Sequence, residues 1–252
     1  EDRGLMYGDG VFRTLILRDG QPRWWDAHLA KLAQDCDRLG LQSVPDDIWR
    51  NDLHALDIPE GESVLKLVVT RGAGIRGYRP SPAMSCTRLA IVTPAPKPVS
   101  QGDQVRVRIC RLRLGHQPVL AGVKHLNRLE NVLAQAEWDD PEIAEGLLLD
   151  QDGHLVGGTK TNVFIVRGGR LVTPALSRCG VAGVARARLM AIAQSAGIEV
   201  ELNDGLWLDD VMRAEEILLC NSVVGLWRVG RLEDRTWETP VLYPMLAERM
   251  NG

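Results

Sequence analysis

Cysteine is sparse and unpatterned in this chain of 252 residues. Cys36, Cys86, Cys110, Cys179 and Cys220 are odd in number, widely scattered and never in a Cys-x-x-Cys pair. That excludes a disulfide framework and a cysteine-built zinc centre, and it suits a reducing cytoplasm. No metal is expected. Excess positive charge is missing too: a formal net charge of -3 leaves no basic footprint for nucleic acid. No apolar run approaches the roughly 18 residues a membrane helix needs, and no stretch reads as a signal peptide. Internal repeats are absent. What is present is ordinary: 45% hydrophobic and 25% charged residues, enough chain for a full core in one large domain or two small ones. The chain opens on Glu1 rather than Met, directly ahead of a motif.

Taken in order, Arg3–Thr14 combines turn glycines with the start of a strand. Asp19-Gly20 then turns the chain into Arg23-Trp24-Trp25, a hairpin signature. His28, Leu29, Leu32, Cys36 and Leu39 trace one helix face ending near Gly40. Residues 64–69 read as a strand that runs into a glycine-rich loop. Arg71, Arg76 and Arg79 on that loop suit a dianionic ligand, although loop arginines are more often simply solvated. Residues 89–92 form another strand. Pro94, Pro96 and Pro98 make the following segment extended and semi-rigid, placing a linker at 94–103 between a small α+β domain at 1–93 and a larger one at 104–252. Residues 105–109 alternate as a strand wet on one side, and Asp152-Gly153 and Gly168-Gly169 close hairpins. The class is therefore α+β with an antiparallel or mixed sheet rather than a Rossmann fold.

Three stretches carry chemistry. Leu126, Leu129, Val132, Leu133 and Ala136 recur at helical spacing, predicting a helix from about 125 to 138 with one stripe buried. Lys124 stands just ahead of it, after a small and apolar run. Desolvation there lowers an ammonium's pKa and frees the amine as nucleophile or base. The competing reading is a lysine whose head snorkels to water. Gly183, Val184 and Ala185 enter a second helix, whose first N–H groups face outward and suit an anion. Asn221-Ser222 breaks a buried strand, and such a pair is commonly turn chemistry alone.

The run from Gln117-Pro118 to Lys124-His125-Leu126-Asn127-Arg128-Leu129-Glu130 resembles the active-site segment of the fold-type IV pyridoxal-phosphate enzymes, and within them the aminodeoxychorismate lyase branch. The resemblance extends from Arg3 to about Arg228. It implies the two-domain fold of D-amino-acid and branched-chain aminotransferases, a homodimer with each site at a domain junction, and pyridoxal 5'-phosphate as cofactor. It also implies a small-molecule substrate, 4-amino-4-deoxychorismate, cleaved to 4-aminobenzoate and pyruvate for folate synthesis. Lys124 would form the Schiff base and act as base and acid. Lys31, Gly183, Val184, Ala185, Asn221 and Ser222 would serve the phosphate, and Arg128 the phenolic oxygen. Arg76, Tyr78, Phe12 and Thr14 would line the substrate side.

The chain departs from the family pattern at three points. Lys31 stands where an arginine contacts phosphate, which loses the bidentate fork. Ala185 lacks the hydroxyl of the family threonine. Gly157 stands where a glutamate pairs with the cofactor's pyridine nitrogen, which should weaken carbanion chemistry. A lyase whose carbanion collapses at once into an aromatic ring tolerates that loss better than a transaminase. The alternatives are a fold-type IV aminotransferase of D- or branched-chain amino acids, a cofactor-binding protein without activity, and a plain binding module. The last leaves the Lys124 segment unexplained.

Overall fold

A computed structural model describes residues 1–74, 76–81, 84–96 and 104–251. The chain forms two compact units, Glu1–Pro96 with Val123–Arg128, and Lys97–Gly122 with Leu129–Gly252. The lysine stretch thus groups with the first unit, whereas a division at the proline segment alone would leave it in the second. Its backbone pairs with a strand of the first unit, a long-range partner that local sequence does not announce. Of the linker segment at 94–103, residues 97–103 lie outside the described residues.

The first unit contains α1 (Arg3–Tyr7), β1 (Gly10–Arg18), β2 (Gln21–Pro22), α2 (Trp25–Arg38), α3 (Asp46–His54), β3 (Glu62–Thr70) and β4 (Thr87–Pro94). Its sheet is antiparallel in the order β2-β1-β3-β4. Where a turn is expected near Arg3, α1 forms instead, because the Asp2 carboxylate accepts the N–H groups of Gly4 and Leu5 and caps it. The second hairpin strand stops at Pro22, which lacks the N–H to extend a ladder, and Trp25 opens α2. Along β1 the side chains alternate, so Val11, Arg13 and Leu15 face the core while Phe12 and Thr14 are partly exposed. Against that face α2 packs His28, Leu32, Asp35 and Cys36, all buried at helical spacing. Trp49 of α3 closes the same core.

The second unit contains β5 (Gln104–Leu114), α4 (Leu129–Gln135), β6 (Ile143–Asp150), β7 (Leu155–Gly158), β8 (Asn162–Arg167), β9 (Arg170–Thr173), α5 (Val184–Ser195), β10 (Val200–Leu202), α6 (Leu208–Arg213), β11 (Glu216–Asn221), β12 (Gly225–Leu232), β13 (Arg235–Thr236) and α7 (Tyr243–Asn251). Its sheet runs β10-β9-β8-β11-β12-β5-β6-β7, with β13 on β12. The β12/β5, β5/β6 and β9/β10 pairs are parallel and the others antiparallel, giving the mixed sheet of an α+β unit. Val163, Ile165, Ile217, Leu219, Trp227 and Val229 fill its core.

The helix read from the leucine spacing differs most from expectation. It starts at Leu129 rather than near His125 and ends at Gln135. Its stripe is not buried: Leu129, Val132 and Leu133 are 67%, 60% and 54% exposed, and the buried residue is Ala134. Periodicity shows that a stripe exists but not what covers it.

Candidate active site

Lys124 is held by its backbone in the first unit. Its carbonyl accepts the Phe12 N–H at 3.0 Å, and Leu126 N–H donates to the Gly10 carbonyl at 2.9 Å. Between these bonds Val11 and His125 form an isolated antiparallel bridge. The Lys124 N–H turns the other way and donates to the Asp35 carboxylate at 3.0 Å. Both backbone polar groups of the lysine are therefore fixed, one by a strand and one by a helix side chain.

Four cations surround this point. Arg13 donates to the buried Asp35 carboxylate, and Lys31 Nζ donates to its other oxygen at 2.5 Å. Lys124 Nζ lies 4.6 Å from the centroid of the Phe12 ring, and Lys66 Nζ lies 4.8 Å from the same centroid. Thr14 stands opposite Lys66 in the β1/β3 register. Arg128 folds back onto its own segment, donating to the His125 carbonyl at 3.1 Å and lying against the imidazole.

These surroundings set the titration of the amine. Lys124 is partly buried, and protein atoms crowd its ammonium. Desolvation first, then Arg13, Arg128 and Lys66, push its pKa down to about 7, with Asp35 opposing them. Lys31 is also lowered, by burial above all, against the pull of Asp35. His28 is buried beside this cluster, and neither ring nitrogen has a partner among the described residues. Burial, Arg13 and Lys124 hold its pKa down to about 3. His125 falls to about 4 through burial and Arg128.

The loop at 71–79 is pinned from two sides. Arg71 donates to Asp9 and to the Leu39 and Gly40 carbonyls, so it serves the fold rather than a ligand. Arg3 donates to Asp9 and to the carbonyls of Gly77 and Tyr78. Arg76 is exposed, and so is Tyr78, whose ring packs on Tyr7 at 5.3 Å.

In the second unit, Asn162 organises the start of α5. Its amide donates to the Val181 carbonyl at 2.7 Å and accepts the Gly183 N–H at 3.2 Å. A Cβ at Gly183 would stand 2.4 Å from that Asn162 oxygen, so glycine lets the amide stay in place. No side chain caps α5, so the first N–H groups, from Val184 and Ala185 onward, stay available to an anion. The Asn221 side chain is committed to its turn, accepting the N–H groups of Val223 and Val224, both at 2.8 Å. Ser222 follows it, partly exposed.

Gly157 lies on β7, where a Cβ would meet the Thr161 carbonyl at 3.0 Å. The fully buried Glu145 lies on the neighbouring strand β6. Its two oxygens accept the N–H groups of Gly146, Thr159 and Lys160 and the hydroxyls of Thr159 and Thr161. Five donors exhaust that carboxylate, so it shapes the 159–161 turn and does not stand in for the missing acid. Sequence reasoning missed Arg13, Asp35, Lys66 and Glu145. The one available signal was the Lys31/Asp35 spacing of four on a helix.

The amino-transferase class IV family model matches residues 10–232. The chain belongs to this family. Across all of this chain and 93% of its relative, it is 36% identical to an aminodeoxychorismate lyase of Vibrio harveyi. It is 30% identical to a putative branched-chain-amino-acid aminotransferase of Methanocaldococcus jannaschii, over 93% of this chain and 82% of that protein. Among solved structures, 4-amino-4-deoxychorismate lyase from Pseudomonas aeruginosa superposes with a TM-score of 0.91 at 42% identity. That match covers 99% of this chain and 93% of the other. The two-domain class IV fold is thus the fold of this chain, and its relatives at 36% and 42% identity are both lyases.

Proposed function

We propose that this class IV family member is a pyridoxal-phosphate-dependent lyase that converts 4-amino-4-deoxychorismate to 4-aminobenzoate and pyruvate. The observation that carries the reading is the Lys124 amine, its peptide tied to β1 and Asp35 and its side chain set over the Phe12 ring among cations, in a chain 36% and 42% identical along its length to two lyases of this name. The residues fit the cofactor at its aldehyde end, because a partly desolvated primary amine is the group an aldehyde needs. They differ at the ring-nitrogen end, where Gly157 offers no carboxylate. When bound, the cofactor supplies an electron sink for a developing carbanion.

The chain's own groups do the rest. Lys124 anchors the cofactor, takes the proton from the ring carbon bearing nitrogen and returns one to the departing enolpyruvyl group. A pKa near neutrality suits a group that must act in both directions. Lys31 contributes charge for the phosphate, and the Val184 and Ala185 N–H groups suit the same kind of anion, as do Gly183, Asn221 and Ser222 in this reading. Arg76, Tyr78, Phe12 and Thr14 are assigned to the substrate, and Arg128 to the cofactor's phenolic oxygen. A homodimer in the cytoplasm belongs to the same proposal. Among the described residues no helix is long and apolar enough to cross a membrane.

The test is direct. Purified protein with cofactor should release pyruvate and 4-aminobenzoate, and borohydride should fix the cofactor on Lys124 by mass spectrometry. Keto-acid-dependent amino transfer without pyruvate release would instead make it an aminotransferase.

A further inference from the structure

The carboxylate of Asp35 sits at the centre of the buried charges of the first unit. It is fully buried on α2, and three groups from three segments converge on it: the Arg13 guanidinium of β1, the Lys31 ammonium of α2, and the backbone N–H of Lys124. A buried aspartate that only neutralised Arg13 would have no reason to reach the Lys124 peptide. Here one carboxylate oxygen is shared between the two. We propose that Asp35 is a positioning residue for Lys124, anchoring the lysine's N–H and setting a negative charge among the cations that face its amine. The inference rests on the reading of Lys124 as the reactive amine.

Two physical consequences support it. With its carbonyl on Phe12 N–H and its N–H on Asp35, the Lys124 peptide is fixed on both sides, which directs the side chain over the Phe12 ring. Removing Asp35 leaves the second tether undone. The charged groups acting on the amine are Arg13 of β1, Lys66 of β3, Asp35 of α2 and Arg128 on its own segment; the neutral His28 of α2 also feels it, Lys31 shares the Asp35 carboxylate, and the neutral His125 follows it in the chain. Arg13, Lys66 and Arg128 depress the amine's pKa and Asp35 raises it. Without the aspartate those cations act unopposed, and the amine loses the proton it must later return.

The experiment measures the midpoint of Lys124 acetylation by acetic anhydride, against pH, in the cofactor-free full chain, with the other lysine peptides as internal controls. Asp35 opposes the cations around the amine, so Asp35→Asn should lower the Lys124 midpoint, by up to about 1 unit. Because Asp35→Asn strands the Arg13 guanidinium, folding is protected by a second comparison, Arg13→Met against Arg13→Met/Asp35→Asn. The same drop is expected there, since no buried guanidinium is left behind and Lys31 reaches solvent.

Equal midpoints in that pair, with both proteins folded by circular dichroism, would overturn the proposal. Loss of folding in the double variant alone would make Asp35 a structural residue and overturn it equally. Failure of the Lys124 reading looks different: borohydride would fix the cofactor on another lysine, whatever the acetylation midpoints show.

Discussion

A lysine set among Arg13, Lys66 and Arg128 is an improbable arrangement unless the amine is needed uncharged. Cations at close range cost stability when the ammonium forms and cost nothing when it does not. Lys124→Ala should therefore leave a folded protein and abolish pyruvate release, by about three orders of magnitude or more in a stopped assay. It should also remove the visible absorption of the cofactor-loaded enzyme. The lysine was legible in the sequence because the words around it are specific. Its neighbours were not. Arg13 and Asp35 carry no local signal, and only the alternation of β1 and the spacing along α2 put them inside, facing one another. Which charge meets which is decided by tertiary packing, and no local pattern encodes it.

Elements divide in the same way. The strands β3 and β4 and the helices α2 and α5 were readable, because an amphipathic or β-branched pattern over several residues answers to local geometry. The run at 124–128 was not, since it spends its hydrogen bonds on β1 instead of starting a helix. The 159–161 turn depends on a single acid in another strand. Glu145→Ala would leave the N–H groups of Gly146 and Lys160 and the Thr161 hydroxyl without that acceptor, while Thr159 keeps the Gly146 carbonyl and the Gln135 amide oxygen, a loss of about 3 kcal/mol in urea unfolding. Gly183→Ala should cost less, roughly 1–2 kcal/mol, since Asn162 must swing away from the α5 entrance and give up a hydrogen bond.

For the whole molecule, the buried histidine governs behaviour in acid. Unfolded, His28 takes a proton near 6.5; folded, it resists until about 3. The unfolded chain thus binds more protons between those values, and stability must fall as pH drops through that window, by up to about 1.4 kcal/mol per pH unit. His125, held to about 4, adds a loss of the same sign over a narrower range. Melting temperatures between pH 7 and 5 should fall less steeply in His28→Leu than in the natural chain. The proposed homodimer, of chains of 27.8 kDa, should sediment near twice that mass, and a monomer's mass would remove it from the proposal. Size and composition announced a full core and the hairpin signals an α+β class, whereas the assignment of 123–128 to the first unit needed the coordinates.

That assignment bears on how the molecule can be divided. The polypeptide passes from one unit to the other three times, after Pro96, after Gly122 and after Arg128. A fragment ending at residue 96 would carry Asp35, Arg13 and Phe12 but lack the lysine they surround, and the exposed edge of β1 would have nothing to pair with at Val11. Only a synthetic peptide spanning Val123–Arg128, supplied in trans, could complete such a fragment, so no single cut yields two self-sufficient halves.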